Sequence, residues 1–151
     1  MSENSSTICL TVDNNSLQLL WICLKHFEPV VINNKDEIEV YTSLIGKIAQ
    51  EMVSDEKLPW GSFFSLSPRE AQTLDFAMRM TMVDIKMAIK FGSMADQYVG
   101  ETRLSSYIEK LPLISEVIEK LDLATQLAIQ EHRLTMIEQK LGIVSKNMSE
   151  K

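Results

Sequence analysis

The feature that most constrains the fold is a long helical pattern that begins at the sequence SLSPRE. Ser67 followed three residues later by Glu70 has the spacing of a helix capping box, in which each residue binds the backbone of the other. Pro68 lies between them at the first helical position, where a missing N–H does no harm. Apolar residues then recur at steps of three and four until Gly92, which can end a helix. We therefore predict a helix over 68–91, or as far as Val99 if the helix passes through Gly92.

This predicted helix is apolar along two lines. At about 100° per residue, the first line runs through Ala71, Leu74, Met78, Met82, Ile85 and Ile89. The second lies nearly opposite and is named here the Phe76 stripe: Phe76, Met80, Val83, Met87 and Phe91. A helix that is apolar on two sides is either surrounded by its own bundle or shares one side with a partner. Both alternatives stay open, and in the second the Phe76 stripe is a partner interface.

Four methionines in this helix raise the question of a metal site. Several thioethers that point at one place can bind Cu(I). Met78 and Met82 lie on the first line, however, whereas Met80 and Met87 lie on the Phe76 stripe, so the four do not converge. We predict that they are flexible packing residues, and we predict no metal and no other cofactor.

Three cationic residues, Arg79, Lys86 and Lys90, lie along one edge between the two lines and form the basic edge. They are a candidate contact for nucleic acid or for an acidic partner. Asp75 lies near the same edge, and the pattern favours a solvated charged edge. The net charge of −6 and the pI near 5.0 argue against a protein that coats nucleic acid by charge alone.

Two further helices are predicted before this one. Residues 16–27 have apolar residues at helical spacing, and we expect Glu28–Pro29 to end that helix. Residues 35–54 have the same periodicity, with Asn34 and Glu37 in the positions of a capping box.

The ends of the chain complete the predicted fold. Residues 7–12, TICLTV, alternate and are rich in β-branched residues, as in a strand or an extended arm. A last helix should run over 113–141 and end at a glycine. The sequence thus predicts an all-α, single-domain bundle of four to five helices over 1–142, with or without a short N-terminal extended arm or strand. A frayed tail should follow over 143–151.

The apolar side of the last predicted helix changes along its length. One seam consists of Ile114, Val117, Leu121, Ala124 and Ala128, whereas a heptad is formed by Leu127, Leu134, Ile137, Leu141 and Val144, with the polar Gln130 at its second position. Either the helix curves across several neighbours of one core, or its second half leaves the body and pairs with another chain. The heptad run is too short to predict an independent coiled coil. We favour the single core and keep dimerisation as the alternative.

Aromatic residues mark another candidate surface. Trp60, Phe63 and Phe64 lie in the segment DEKLPWGSFFSL, which Pro59 and Gly61 identify as a loop. Large aromatic side chains are costly to leave in water, so these three either fold back as a lid on the bundle or anchor a partner. The lid is favoured, and in the alternative the three residues join the partner interface.

No catalytic motif is found in the sequence. HExxH, P-loop, GxGxxG and GxSxG patterns are all missing, and neither His26 nor His132 has a patterned partner. Cys9 and Cys23 have no metal-ligand spacing and are expected to be free, partly buried thiols. With no signal peptide and no apolar run long enough to span a membrane, we expect a cytoplasmic protein that is not an enzyme.

These observations favour a non-catalytic helical interaction subunit or adaptor that self-associates through the helix at 68–91 or through the last helix. Its expected partners are another protein, a second copy of the chain, or both, and not a membrane. One alternative is a small subunit of a nucleoprotein complex, in which the basic edge contacts nucleic acid. The other is a sensor that encloses an apolar small molecule between helices, with methionines as adaptable walls.

Overall fold

The computed structural model describes residues 7–54 and 61–142. This part of the chain is mostly helical, with four α-helices: α1 (Asn14–Val31), α2 (Lys35–Val53), α3 (Pro68–Phe91) and α4 (Leu111–Leu141). Two small antiparallel sheets pair β1 (Ile8–Val12) with β2 (Ser62–Leu66), and β3 (Tyr98–Val99) with β4 (Thr102–Arg103). Short 3₁₀ helices cover Gly92–Met94 and Leu104–Lys110. The predicted bundle of four to five helices fits in outline, but the described chain is not all-α, because it also contains these two small sheets. None of the described helices is apolar over a sufficient length to cross a membrane.

Helix α3 begins and ends where the sequence predicts. Ser67 Oγ accepts a hydrogen bond from the Glu70 N–H at 3.1 Å, and Glu70 Oε1 accepts one from the Ser67 N–H at 2.8 Å. At the other end Gly92 has a φ of 76°, a backbone conformation that favours glycine. The capping box and the stop are therefore both confirmed.

The buried face of α3 is centred between its two apolar lines. Leu74, Met78 and Ile85 of the first line are at most 1% exposed, but so are Ala77 and Thr81 beside them. Small side chains at the centre of a helix face allow close approach of a neighbouring helix. Helix α1 packs against α3 here, with the Cys23 thiol beside the Thr81 hydroxyl group. One side of α3, between the first line and the Phe76 stripe, is therefore buried. The opposite side of the helix remains outside the core.

Helix α1 continues through Pro29, where the sequence predicts its end. A proline inside a helix removes one backbone hydrogen bond. Val31 is only 2% exposed, however, so the last turn is held in the core, and the Ile32 N–H donates to Glu28 O at 3.1 Å. The predicted stop at residues 28–29 is therefore wrong, because packing of the last turn outweighs the lost hydrogen bond.

Helix α2 has its predicted limits to within one residue. Asn34 Oδ1 accepts hydrogen bonds from the N–H groups of Asp36 and Glu37 at 3.1 and 3.2 Å. The Glu37 carboxylate instead lies 3.4 Å from Arg69 of α3, and the Asn34 N–H donates to Val31 O. Only half of the predicted capping box is therefore formed.

The predicted N-terminal strand finds its partner in a segment that the sequence predicts as a loop. Strands β1 and β2 run antiparallel, with Ile8 opposite Leu66. Their inward-facing apolar side chains are Ile8, Leu10, Val12, Phe64 and Leu66. The loop prediction is thus wrong for 62–66, and residues 55–60 lie outside the described part of the chain.

Helix α4 is packed against the body only as far as Ala128. It has Pro112 in its first turn and ends at Gly142, which has a φ of 66°. The predicted seam is buried against the body through Ile114, Val117, Leu121 and Ala128. From Ile129 to Leu141 no residue is buried. The predicted single core along the whole helix is therefore wrong, because no described element covers its last turns.

Candidate interaction surfaces

The Phe76 stripe lies on the outer side of α3. Its side chains are 44–56% exposed at Phe76, Val83, Met87 and Phe91, and Met80 is partly buried against the core. The Phe27 ring of α1 packs edge-on against Phe76, with a centroid distance of 5.4 Å. The alternative in which the bundle surrounds α3 is wrong, and the Phe76 stripe is an apolar surface of the described chain.

The basic edge borders the Phe76 stripe within a quarter turn of the helix. Arg79 is engaged inside the chain, since its Nε donates to Asp75 at 2.9 Å and its Nη2 donates to Asp122 of α4 at 3.2 Å. The contacts with Asp75, and then Asp122, raise the pKa of this guanidinium. Lys86 and Lys90 form no ion pair with another residue of the described ranges. Arg79 therefore links α3 to α4, and the two lysines are the cations left for an anionic partner.

The aromatic residues of the predicted loop separate from one another. Phe64 is 4% exposed and belongs to the core, whereas Phe63 is 46% exposed on the other face of β2. Successive residues of a strand face opposite sides, so these two side chains cannot act together at one surface. Trp60 lies outside the described residues. Of the two described aromatics, only Phe63 is placed where a partner can reach it.

A second apolar surface runs along α4, opposite the buried seam. It comprises Leu123, Leu127, Gln130, Leu134, Ile137 and Leu141, at steps of four and three, and is named the α4 stripe. Its apolar side chains are 54–63% exposed. The heptad predicted from the sequence begins at Leu127 and omits Leu123, which lies four residues earlier on the same side of the helix. Val144, the last residue of that heptad, lies outside the described residues. The α4 stripe thus begins on the body and continues along residues 129–141, which extend about 20 Å past the last buried residue.

Charged residues of opposite sign flank the α4 stripe. Arg133 and Lys140 lie on one side of it, and Glu131 and Glu138 lie on the other. None of these four has an oppositely charged residue three or four positions away on α4. Among the described residues, none of the four forms an ion pair. The charges beside the α4 stripe are therefore not neutralised by other residues of the described ranges.

Described residues line two clefts that border α4. One of about 380 Å³ separates β1 from the start of the α4 stripe, and its walls include Cys9, Thr11, Leu123 and Leu127. The other, of about 500 Å³, separates the first turns of α3 from α4, with Arg69, Asp75, Leu121, Ile129 and His132 in its walls. Neither cleft is lined by methionine, so neither has the walls predicted for a sensor of apolar molecules.

The two cysteines have opposite environments. Cys9 is exposed on the outward face of β1, whereas Cys23 is fully buried in α1. The prediction that both are partly buried is therefore wrong. Burial raises the pKa of the Cys23 thiol to about 12. Only Cys9 is therefore placed to react with reagents in solution.

Buried polar groups hold helices together rather than lining a cavity. His26 Nε2 lies 2.7 Å from Asp84 Oδ2, which joins α1 to α3. The Glu70 carboxylate of α3 accepts hydrogen bonds from Ser43 and Lys47 of α2 at 2.6 and 2.7 Å. Within 7–54 and 61–142, no group of three or more His, Cys, Asp or Glu side chains could hold a metal ion.

Comparison of the chain with known protein families, with curated proteins and with solved structures finds no match. Function is therefore inferred from the exposed surfaces of the chain itself.

Proposed function

We propose that this protein is a non-catalytic helical interaction subunit that self-associates through the α4 stripe and offers the Phe76 stripe to a protein partner. The observation that carries the proposal is an exposed apolar heptad on a helix that continues about 20 Å beyond its last buried residue. Large contiguous apolar patches on a soluble protein mark interaction sites. A heptad on one side of a helix is the pattern that buries itself against another helix.

The projecting half of α4 gains stability from such a contact. A helical segment of this length with no packed side is marginal in water. Leu134, Ile137 and Leu141 are each 54–60% exposed, and burying what is exposed contributes about 1 kcal/mol for each side chain. This gain offsets part of the entropy lost when two chains associate.

The Phe76 stripe is better suited to a different partner. Lys86 and Lys90 border it on one side, and an antiparallel pair of copies that met across it would bring these like charges together. An acidic amphipathic helix can instead cover the apolar residues and pair with both lysines. Two separate surfaces, one for self-association and one for a partner, are what an adaptor needs.

Solution mass by light scattering tests the self-association with two neighbouring substitutions. Ile137 and Met136 are 54% and 55% exposed on α4, but only Ile137 belongs to the α4 stripe. We expect dimers for the wild type and for Met136→Glu, and a monomer with an intact cooperative unfolding transition for Ile137→Glu. A wild type that stays monomeric at every concentration contradicts the proposal, and so does an equal effect of the two substitutions.

The partner surface is tested with a designed acidic amphipathic peptide as the probe. Val83 and Ile89 are 56% and 50% exposed on α3, and only Val83 belongs to the Phe76 stripe. We expect the peptide to bind in low salt and to bind more weakly in high salt. Binding should be lost in Val83→Glu and retained in Ile89→Glu. No binding at low salt, or equal losses in both variants, contradicts this part of the proposal.

A further inference from the structure

The charges that flank the α4 stripe indicate how two copies meet. We propose that a second copy of this chain packs along the α4 stripe in parallel and in register, with Arg133 of each copy facing Glu138 of the other. This inference rests on the proposed self-association and adds its orientation and its register.

In a coiled coil, the residues just outside the apolar seam set the orientation of the helices. The first apolar position of the repeat is occupied by Leu127, Leu134 and Leu141, and the residues immediately before these are Gln126, Arg133 and Lys140. The second apolar position is occupied by Leu123, Gln130 and Ile137, and the residues immediately after these are Ala124, Glu131 and Glu138. One flank of the seam is therefore neutral to basic, and the other is neutral to acidic.

Parallel pairing brings the basic flank of one copy against the acidic flank of the other. A residue on the first flank then faces the residue five positions later in the second copy, so Arg133 faces Glu138 and Gln126 faces Glu131. The two-fold axis gives each of these contacts twice. Neither Arg133 nor Glu138 has an ion-pair partner within the described chain that would compete.

Antiparallel pairing has the opposite electrostatic result. It places each flank against the same flank of the second copy, so that Arg133 and Lys140 meet arginine and lysine, and Glu131 and Glu138 meet glutamates. Like charges held together across an interface oppose association. The charge pattern therefore selects the parallel arrangement.

Gln130 selects the register. In a parallel, in-register pair the two Gln130 side chains meet across the axis, and each amide can donate to and accept from the other. A shift by one repeat places each glutamine against Leu123 or Ile137, where its amide has no partner. A polar residue at one seam position has this role in other coiled coils.

The body leaves the start of the α4 stripe open for the second helix. Leu123 and Leu127 are 62% and 63% exposed, and the cleft of about 380 Å³ separates them from β1. Parallel pairing places the two bodies side by side at this end, with the two projecting ends of α4 together at the other.

Cross-linking at the far end of the α4 stripe distinguishes the two orientations. In a Cys9→Ser background, Leu141→Cys places one thiol near the end of α4, and buried Cys23 does not react. Parallel pairing brings the two introduced thiols together, whereas antiparallel pairing centred on the stripe separates them by about 27 Å. We expect mild oxidation to give a covalent dimer with Leu141→Cys and little with Met136→Cys, the control on the same helix outside the stripe.

Charge substitutions provide a second measurement on the same dimer. Arg133→Glu and Glu138→Arg are each expected to raise the dimer Kd by about tenfold, because each replaces two attractive contacts with two repulsive ones. The Arg133→Glu, Glu138→Arg double variant restores opposite charges, so its Kd should return close to that of the wild type. Parallel pairing is overturned if the wild type is a dimer but Leu141→Cys gives no cross-link and the single charge variants dimerise as tightly as the wild type. Self-association would still stand in that case. A monomeric wild type overturns both.

Discussion

His26 of α1 and Asp84 of α3 join two helices through a contact of 2.7 Å between Nε2 and Oδ2. The His26 side chain is only 4% exposed, whereas that of Asp84 is 30% exposed. The ring nitrogen therefore depends on this carboxylate for its hydrogen bond, because water has little access to it.

Asp84→Ala is expected to lower the free energy of unfolding by about 1–3 kcal/mol, since it leaves a buried ring nitrogen without a partner. Asp122→Ala is the matched control. Asp122 also bridges two helices, but it and its partner Arg79 are both 51% exposed, so its loss should cost less than about 1 kcal/mol. Urea denaturation measures both variants, and equal losses would contradict a special role for the His26 contact.

Glu70 makes the stability of the fold depend on pH. Burial alone would raise the pKa of its carboxyl group, but hydrogen bonds from Lys47, Ser43 and the Ser67 N–H outweigh burial and lower it. A carboxyl group whose folded pKa is lowered stabilises the fold above its unfolded pKa, and that contribution is lost as the pH falls through the folded value. We expect Glu70→Gln to cost about 1–3 kcal/mol at neutral pH. The difference from the wild type should shrink below about pH 4.3.

Glu37→Gln is the control for the loss of one negative charge. Its carboxylate is 41% exposed and lies 3.4 Å from Arg69, so the substitution should change stability by less than about 1 kcal/mol. Unfolding curves for the wild type and both variants between neutral and acidic pH give the comparison. If the loss of stability in Glu70→Gln does not change with pH, the lowered pKa of Glu70 is contradicted.

Local signals predicted α3 because the residues that end it act on their own backbone. Ser67, Glu70 and Gly92 bind or bend the chain within one turn, so their effect is visible in the sequence. Strand β2 was missed because its inward positions are Ser62, Phe64 and Leu66. A buried serine next to an outward phenylalanine hides the alternation of a strand.

The sequence predicts which residues form the candidate surfaces, but it does not predict whether those surfaces are exposed. The heptad of α4 can be read from the sequence, and so can the Phe76 stripe. Whether a line of apolar residues is covered depends on where the neighbouring elements end. The burial of α4 stops at Ala128 because of the lengths and positions of other helices and of β1, which no local pattern in α4 contains.

The two apolar sides of α3 predict opposite responses to the same substitution. Met78 is 1% exposed and Met87 is 44% exposed. Met78→Ala is expected to lower the free energy of unfolding by about 2–5 kcal/mol, because it leaves a cavity in the core. Met87→Ala should stay within about 0.5 kcal/mol of the wild type. Thermal and urea unfolding measure both, and a large loss in Met87→Ala would mean that the Phe76 stripe supports the fold itself.

Cys9 reports on the start of the α4 stripe. It is exposed beside Leu123 and Leu127, whereas burial raises the pKa of Cys23 to about 12. Alkylation at mildly basic pH should therefore modify Cys9 alone. Its rate should fall as the protein concentration rises, because a second copy covers the cleft, and should stay fast in Ile137→Glu. A constant rate in a sample that is dimeric by mass would show that the contact does not reach β1.

Gln130 is expected to weaken the dimer while it fixes the register. A polar residue at a seam position lowers the stability of a coiled coil and limits the arrangements that it can adopt. Gln130→Leu should therefore lower the dimer Kd by about tenfold, and it should admit shifted or larger assemblies. Gln139→Leu, on the outer side of α4, is the control and should leave the Kd unchanged. Sedimentation equilibrium measures the Kd and the species present. Weaker association in Gln130→Leu would contradict the prediction, because it would mean that Gln130 itself stabilises the dimer.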